Sequence, residues 1–467
     1  MDGRSIAGGV ARRIARMPVR EARSLVERVR RESLEFGVTY QPEGKPVEVT
    51  DLVLAPIVLG PGNLRALRTV ALTMSGIVGR LAAWRERIPD VHALLPLEPT
   101  EEEWFRDCAP PGSARAARII GRWDMNVEQF GDGRLRIRLF EGNGVAIGGL
   151  NYGPAAERIV SGYANDLLGA TVAGRIRLGP LCDLHGALFR TFRDQAARIG
   201  RRFRTLAWLE DKTWDAGITE APYVMESMRR RGVRAFLADP RDLRVRRGEV
   251  FHGDDEVDVI YRNIELRDIT ELERSDGPLD ALRLAFRRNQ VASPLAGELD
   301  HKSILAVPRV PVVWDRLSRA ERRTVAACVP WTRMVRAERI DGPAGRRVDL
   351  PEHVRRNRRS LVLKPNRGCG GDGVTIGRAV SQAAWEKTLR DALREEGTWV
   401  VQEHVRPVRI PFPQVGRRVG IAGRYANCGV IALPHGTGIL GRASARPVVN
   451  VAQGGGIVAL LLARAAR

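Results

Sequence analysis

Apolar positions recur at helical spacing over residues 20–35 and again over 63–90 (NLRALRTVALTMSGIVGRLAAWRERIPD). That period predicts a mostly helical N-terminal region over 1–115. At Arg118 the pattern changes. In ARIIGRWDMNVEQFGDGRLRIRLFEGNG, Ile119–Met125 predicts one strand and the alternating Leu135–Phe140 a second, with Gly131-Asp132-Gly133 turning between them. Helical spacing returns over Asn151–Phe203. Residues 204–275 predict a small α/β unit: TLAWLE a strand, TEAPYVMESMRRRG a helix ended by glycine, VRAFLAD and VDVIYRN two further strands. Pro294–Leu305 opens a new segment, and from Ser360 the pattern is strand-rich with one helix, Gln382–Arg394. No internal repeat is evident. The expected division is 1–115, 116–200, 201–289 and 290–467, in a mixed α/β (α+β) class. No run approaches the 18 or so apolar residues of a membrane span, so no membrane partner is expected.

Charge adds a second layer. Lysine and arginine total 76 against 55 acidic residues, a formal net charge of +21. Such a balance invites a nucleic-acid partner. The arginines, however, are spread along the whole chain, no low-complexity basic tail is present, and aromatics are 6% of residues. Nucleic-acid binding is therefore not expected; an acidic substrate, or one carried on an acidic carrier protein, accounts for the charge as well. Only five of the positive residues are lysines: Lys45, Lys212, Lys302, Lys364 and Lys387. Where lysine persists in so arginine-dominated a chain, a compact ammonium is wanted in place of a planar fork. The five cysteines are odd in number, scattered and without a C-x-x-C pair, which argues against a disulfide framework or a structural zinc. The N-terminus lacks an apolar signal core, and a reducing cytoplasmic setting is expected.

Within SLVLKPNRGCGGDGVTIG (360–377), Gly368, Gly370 and Gly373 spell G-x-G-x-x-G. A dinucleotide-binding turn needs a helix to begin at the last glycines, so that the pyrophosphate meets its N-terminus. Here β-branched VTIG follows, a strand signal, and no Gly-Lys-Ser/Thr closes a P-loop. What remains is a glycine hairpin whose backbone N–H groups can cover phosphates, preceded by a strand ending in Lys364.

LVLKPNRGCGGDGVTIG followed by TWVVQEHV resembles the nucleotide-binding half of an ATP-grasp ligase. The other half matches far upstream: Arg122-x-Asp124, a hairpin, then Glu141-x-Asn143. That order resembles the circularly permuted branch of the family, similar to glutathionylspermidine synthetase, over roughly residues 116–160 and 200–467. The resemblance implies a circularly permuted ATP-grasp fold with a small pre-ATP-grasp-like α/β domain. It implies ATP held by Lys302 (in ELDHKSILAV), Lys364, the loop glycines Gly368, Gly370, Gly371 and Gly373, and the hinge Gln402, Glu403, His404 and Val405. It implies Mg²⁺, two ions, on Asp124, Glu141 and Asn143. Hard oxygen ligands of that kind suit magnesium bridging phosphates. Arg122 is implied to stabilise an acylphosphate or tetrahedral intermediate. Either Arg442 or Arg446, in GRASARPVVNVAQGGG, is implied to hold the γ-phosphate. The hinge is only loosely family-like, and no amidase domain is evident.

The activity so implied is ADP-forming ligation of a small-molecule or peptide carboxylate to an amine. Two other classes compete: a catalytically silent scaffold or basic nucleic-acid-binding protein, and an enzyme that phosphorylates without ligating. A silent scaffold has no need of three metal ligands. Taken singly, the residues have plainer explanations, such as an exposed polar hairpin or a surface glycine turn. Cys369 among the glycines lacks a His or Asp at useful spacing, and Cys182 with His185 lacks companion zinc ligands; both are expected to be structural.

Overall fold

The computed structural model describes residues 3–108, 118–132, 134–214, 216–343, 345–368, 371–447, 449 and 454–466, with the backbone alone at 170 and 171. Its centre is an eight-stranded sheet. Six strands run in the order Leu52–Leu59, Gly456–Ala465, Gly436–Ser444, Val419–Leu433, Arg122–Gln129, Leu135–Asn143; Val408–Val415 and Ile176–Gly179 pair on beside them. All pairs are antiparallel except Leu52–Leu59 against Gly456–Ala465. The expected hairpin is therefore not free-standing. Its first strand runs against Val419–Leu433, with Asp124 opposite Gly429 and Arg122 opposite Ile431. Segments three hundred residues apart in sequence thus build one surface.

Alternation sorts the faces of this hairpin, since successive side chains on a strand point opposite ways. Trp123 and Met125 enter an apolar core shared with Cys428, Val430 and Leu139. Arg122 and Asp124 face the other way. The hairpin register sets Asp124 opposite Glu141 and Arg122 opposite Asn143, with an irregularity between Asp124 and Met125. Gly133 of the turn lies outside the described residues.

The N-terminal region is mostly helical, with Gly3–Ala15, Val19–Glu35 and Pro61–Val78 its longest helices, and it adds the strands Thr39–Gln41, Glu48–Val49 and Leu52–Leu59, which the helical period did not mark. LVLAPIVL is a continuous apolar run buried on both faces, and such a run carries no alternation to mark it as a strand. It is covered on one side by the helix Gly3–Ala15, whose Val10 and Ile14 are fully buried in the second core. Short Thr39–Gln41 also pairs with Gly217–Ile218 of the small unit, tying the N-terminal segment to residues 201–289.

In that unit the parallel strands Val259–Arg262, Thr205–Leu209 and Arg234–Ala238 form the expected sheet, with the helix Ala221–Arg229 beside it. The 290–467 segment divides between two sheets. Thr332–Met334, Trp399–Glu403, Leu361–Pro365 and Thr375–Ile376 make a four-stranded one, with Gln382–Arg394 a helix, while the strands from Val408 onward join the central sheet. The glycine stretch after Lys364 is followed by the strand Thr375–Ile376, paired with Val362 and Leu363, and not by a helix. No helix of the described residues is long and apolar enough to cross a membrane. Cys108, Cys182, Cys328 and Cys428 are free thiols; Cys369 lies outside the described residues.

Candidate active site

The four-stranded sheet and the Arg122 hairpin face each other across a cleft of about 400 Å³. Along Leu361–Pro365, Val362 pairs with Gln402 on one side and Ile376 on the other, and Lys364 lies two residues on, on the same face. This face, with His404 and Val405, forms one wall. Arg122, Asp124, Glu141, Asn143, Lys302 and Arg442 form the opposite wall. Lys302 reaches in from a short helical turn, Lys302–Leu305.

Asp124 is 2% exposed and sits between two guanidinium groups. Arg122 clasps it with Nε at 2.8 Å and Nη2 at 3.1 Å, and Arg442 Nη2 donates at 2.7 Å. Burial alone would raise this carboxyl; the two arginines overcome it and hold Asp124 down at about 2. The clasp needs Gly429 on the adjacent strand. A Cβ there would lie 2.6 Å from Arg122 Cδ and 2.7 Å from Asp124 Oδ1. Lys302 Nζ donates to Gly368 O at 2.6 Å and lies 3.5 Å from Glu141. Buried Lys364 donates to Phe140 O at 3.0 Å and to Gln402 Oε1 at 2.7 Å, and Gln402 is itself held by Thr332. Desolvation pushes Lys364 down to about 8, partly opposed by Glu141. His404 is pushed down to about 4 by burial and cationic neighbours, so its ring is neutral near pH 7.

Four cations surround two carboxylates, a surplus of positive charge that suits a polyphosphate. Among the described residues no cluster of three or more His, Cys, Asp and Glu could hold a metal. Two carboxylates and an amide are nonetheless the sparse donor set that Mg²⁺ accepts, because it keeps waters and takes phosphate oxygens. Asn143 donates its Nδ2 to Arg122 O, leaving Oδ1 uncommitted among the described residues. Three hydrogen bonds occupy Asp124, one fewer than a carboxylate accepts. The site therefore fits both groups.

Several expected contacts fall elsewhere. Glu403 alternates away from Gln402 and pairs with Arg138 outside the cleft. Arg446 is exposed, whereas Arg442 is buried beside Asp124. Gly371 lines the cleft; Gly368 and Gly373 do not, although Gly368 receives Lys302, and Gly370 lies outside the described residues. Tyr40, Asn126, Tyr152, Ile218 and Asn427 line the cleft without having been singled out from sequence. Asn427 could have been found as the cross-strand neighbour of Arg442, whose Nε it receives at 3.0 Å. Nothing local marked the others.

The low value of Lys364 gives a pH expectation. A bound polyphosphate favours the charged ammonium, so affinity is full below about pH 8 and falls as the free lysine loses its proton, by at most tenfold per unit. ATP titrations by calorimetry at pH 7 and pH 9 should show the loss, and a flat profile would sink it.

No family model matches the chain. Among curated proteins it is 28% identical over 254 residues to a protein of Mycobacterium tuberculosis described only as uncharacterized; the match covers 51% of this chain and 44% of that one. A Mycobacterium leprae protein, also uncharacterized, is 29% identical over 262 residues, 51% of this chain and 43% of its own. The chain thus spans under half the length of the curated relatives it matches. Among solved structures, a glutathione synthetase-like effector from Globodera pallida, in its apo form, superposes with a TM-score of 0.65 at 12% identity. That likeness covers 96% of this chain and 98% of the effector. The mixed α/β fold is therefore shared with that effector along nearly its whole length. An ATP-grasp ligase complexed with a minimal precursor, Mg and ADP aligns with a TM-score of only 0.21, too slight a likeness to weigh here.

Proposed function

We propose that the protein is an ADP-forming carboxylate–amine ligase of circularly permuted ATP-grasp architecture. The observation that carries this reading is the convergence in one cleft of Lys302 and Lys364 with Asp124, Glu141 and Arg442, from chain segments that meet only in the folded protein. Lys302 and Lys364 bind the phosphates of ATP, and the glycine stretch covers them. The wall of Val362, Ile376, His404 and Val405 takes the base. Asp124, Glu141 and Asn143 hold magnesium, which when bound neutralises phosphate charge.

In the first step an oxygen of the substrate carboxylate forms a bond to the γ-phosphorus, and the bond to the bridging β,γ-oxygen breaks, giving an acylphosphate and ADP. In the second an amine nitrogen bonds to the acyl carbon, the carbon–oxygen bond to phosphate breaks, and a proton leaves the nitrogen for solvent. Negative charge develops at the phosphoryl group and then at the acyl oxygen. Arg122 and Arg442 are held on Asp124 in the cleft before reaction, and in this reading their charge meets that developing charge, since preorganised charge of this kind supplies much of the rate in phosphoryl and acyl transfer.

The test is ADP release from a panel of acids and amines, with mass spectrometry of products. A ligase yields ADP and phosphate only with both an acid and an amine present. Lys364→Ala should lose ATP affinity by an order of magnitude or more, the range expected when a charge-assisted hydrogen bond is removed. ATP binding equal to wild type in that variant would count against the placement.

A further inference from the structure

The end of the cleft beyond the lysines is built differently. There the N-terminal strand Thr39–Gln41 and Gly217–Ile218 of the small unit pair antiparallel, setting Tyr40 directly opposite Ile218. Directly opposed side chains share one face of the ladder. Both line the cleft. The pair is pinned from beneath, because Tyr152 hydroxyl and Thr219 hydroxyl both donate to Thr39 O. Ile218 remains 36% exposed.

Gly148 lies between this apolar pair and the reactive end. A Cβ added at Gly148 would meet Ile218 Cδ1 at 3.2 Å and Arg122 Nη1 at 3.6 Å. A methyl there would already crowd Ile218, so the absent side chain lets the Ile218 methyl and the Arg122 guanidinium adjoin at this end of the cleft. Gly148 O accepts from Arg122 Nη1 at 3.0 Å, which fixes that guanidinium beside Ile218. Arg122 spends three N–H groups on Asp124 and Gly148. A guanidinium has five, so two remain for an incoming carboxylate.

We propose that the end of the cleft bounded by Arg122 and the Tyr40–Ile218 pair is the acid-substrate subsite, and that it selects a carboxylic acid bearing an apolar or aromatic group next to its carboxylate. The inference rests on the ligase reading and deepens it by naming the class of acid. The carboxylate is held at Arg122, facing the phosphate end, and the adjoining group packs on Ile218 and Tyr40. Burying a charged or strongly polar group against these two side chains without a partner would cost binding that an apolar group would gain.

The experiment separates this inference from the ligase reading by using hydroxylamine as the amine. With the full-length protein, ATP and Mg²⁺, an activated acid is trapped as its hydroxamate: the hydroxylamine nitrogen bonds to the acyl carbon and phosphate leaves. The acids offered are N-acetylphenylalanine, N-acetylleucine, N-acetylglutamate and N-acetyllysine. The expected result is kcat/KM at least about tenfold higher for the two apolar acids, the scale on which a hydrophobic pocket discriminates. Ile218→Asp should reduce that preference about tenfold while ATP binding by calorimetry stays as in wild type. Gly148→Ala, whose methyl would crowd Ile218 Cδ1 at 3.2 Å, should shift preference from N-acetylphenylalanine toward the smaller N-acetylleucine and checks the subsite should the aspartate variant fold poorly. Equal use of all four acids, or a preference unmoved by both variants, overturns the subsite and leaves the ligase reading standing. ADP and hydroxamate from none of a wider acid panel overturns both.

Discussion

Glu141→Gln is expected to abolish acid- and amine-dependent ADP release, by about 10³-fold or more, equivalent to about 4 kcal/mol of transition-state stabilisation. Glu141 stands opposite Asp124 in the hairpin register and 3.5 Å from Lys302 Nζ, at the junction of the acidic and basic walls. The amide keeps the shape and removes the charge, so phosphate charge in the cleft loses one of the two carboxylates able to recruit magnesium. Glu141 is 26% exposed at its side chain and lies outside the apolar cores, so the melting temperature should stay near wild type. An ADP-release assay across a range of Mg²⁺ concentrations and a thermal melt check the two halves of the expectation. Full turnover with ordinary magnesium dependence would remove this site from consideration.

Arg442→Met is expected to cost stability as well as activity. Its guanidinium is 9% exposed and is one of the two cations that, among the described residues, pair with a carboxylate that is 2% exposed. Removing one partner of a buried pair leaves charge uncompensated and costs about 3–5 kcal/mol, far more than the loss of a surface ion pair. Asn427 also loses the Arg442 Nε bond. The variant should unfold at clearly lower urea concentration than wild type. Adding Asp124→Asn should restore part of the loss, because the orphaned charge is then gone; both variants should be without ADP release. An Arg442→Met protein as stable as wild type would show that Arg122 alone satisfies Asp124.

The sign of the pH effect on this pair follows from the same geometry. Asp124 is held at about 2 in the folded protein, below its ordinary value of 3.8. Its contribution to stability is therefore complete above about pH 4 and is lost as pH falls toward 2.

Much of the candidate site was legible because its signals are short-range. The hairpin was visible because Leu135–Phe140 alternates, and alternation alone places Arg122 and Asp124 on one face and Trp123 and Met125 on the other. The glycine stretch could be separated from a dinucleotide turn because the residues after it are β-branched, and they do pair as a strand. Lys364 stood out through the scarcity of lysine. By contrast, the choice between Arg442 and Arg446 was open, since both lie in one arginine-rich stretch. Only pairing with Asn427 and Asp124 turns one of them inward.

The sequence by itself determined the elements whose period is set within a few residues: the helices Ala221–Arg229 and Gln382–Arg394, the parallel strands of the small unit and the polar face of the hairpin. The tertiary structure decided what depends on partners far along the chain. Leu52–Leu59 became a strand because it pairs edge to edge with Gly456–Ala465 and its uniformly apolar run is buried in the two cores, the first helix packing against it. Tyr40 and Ile218 became cleft residues because two short strands, 180 residues apart, complete each other's hydrogen bonds. A two- or three-residue strand has too few side chains to carry a period and gains its stability only from the ladder it joins. For that physical reason the wall proposed to choose the acid lay beyond the reach of any local pattern.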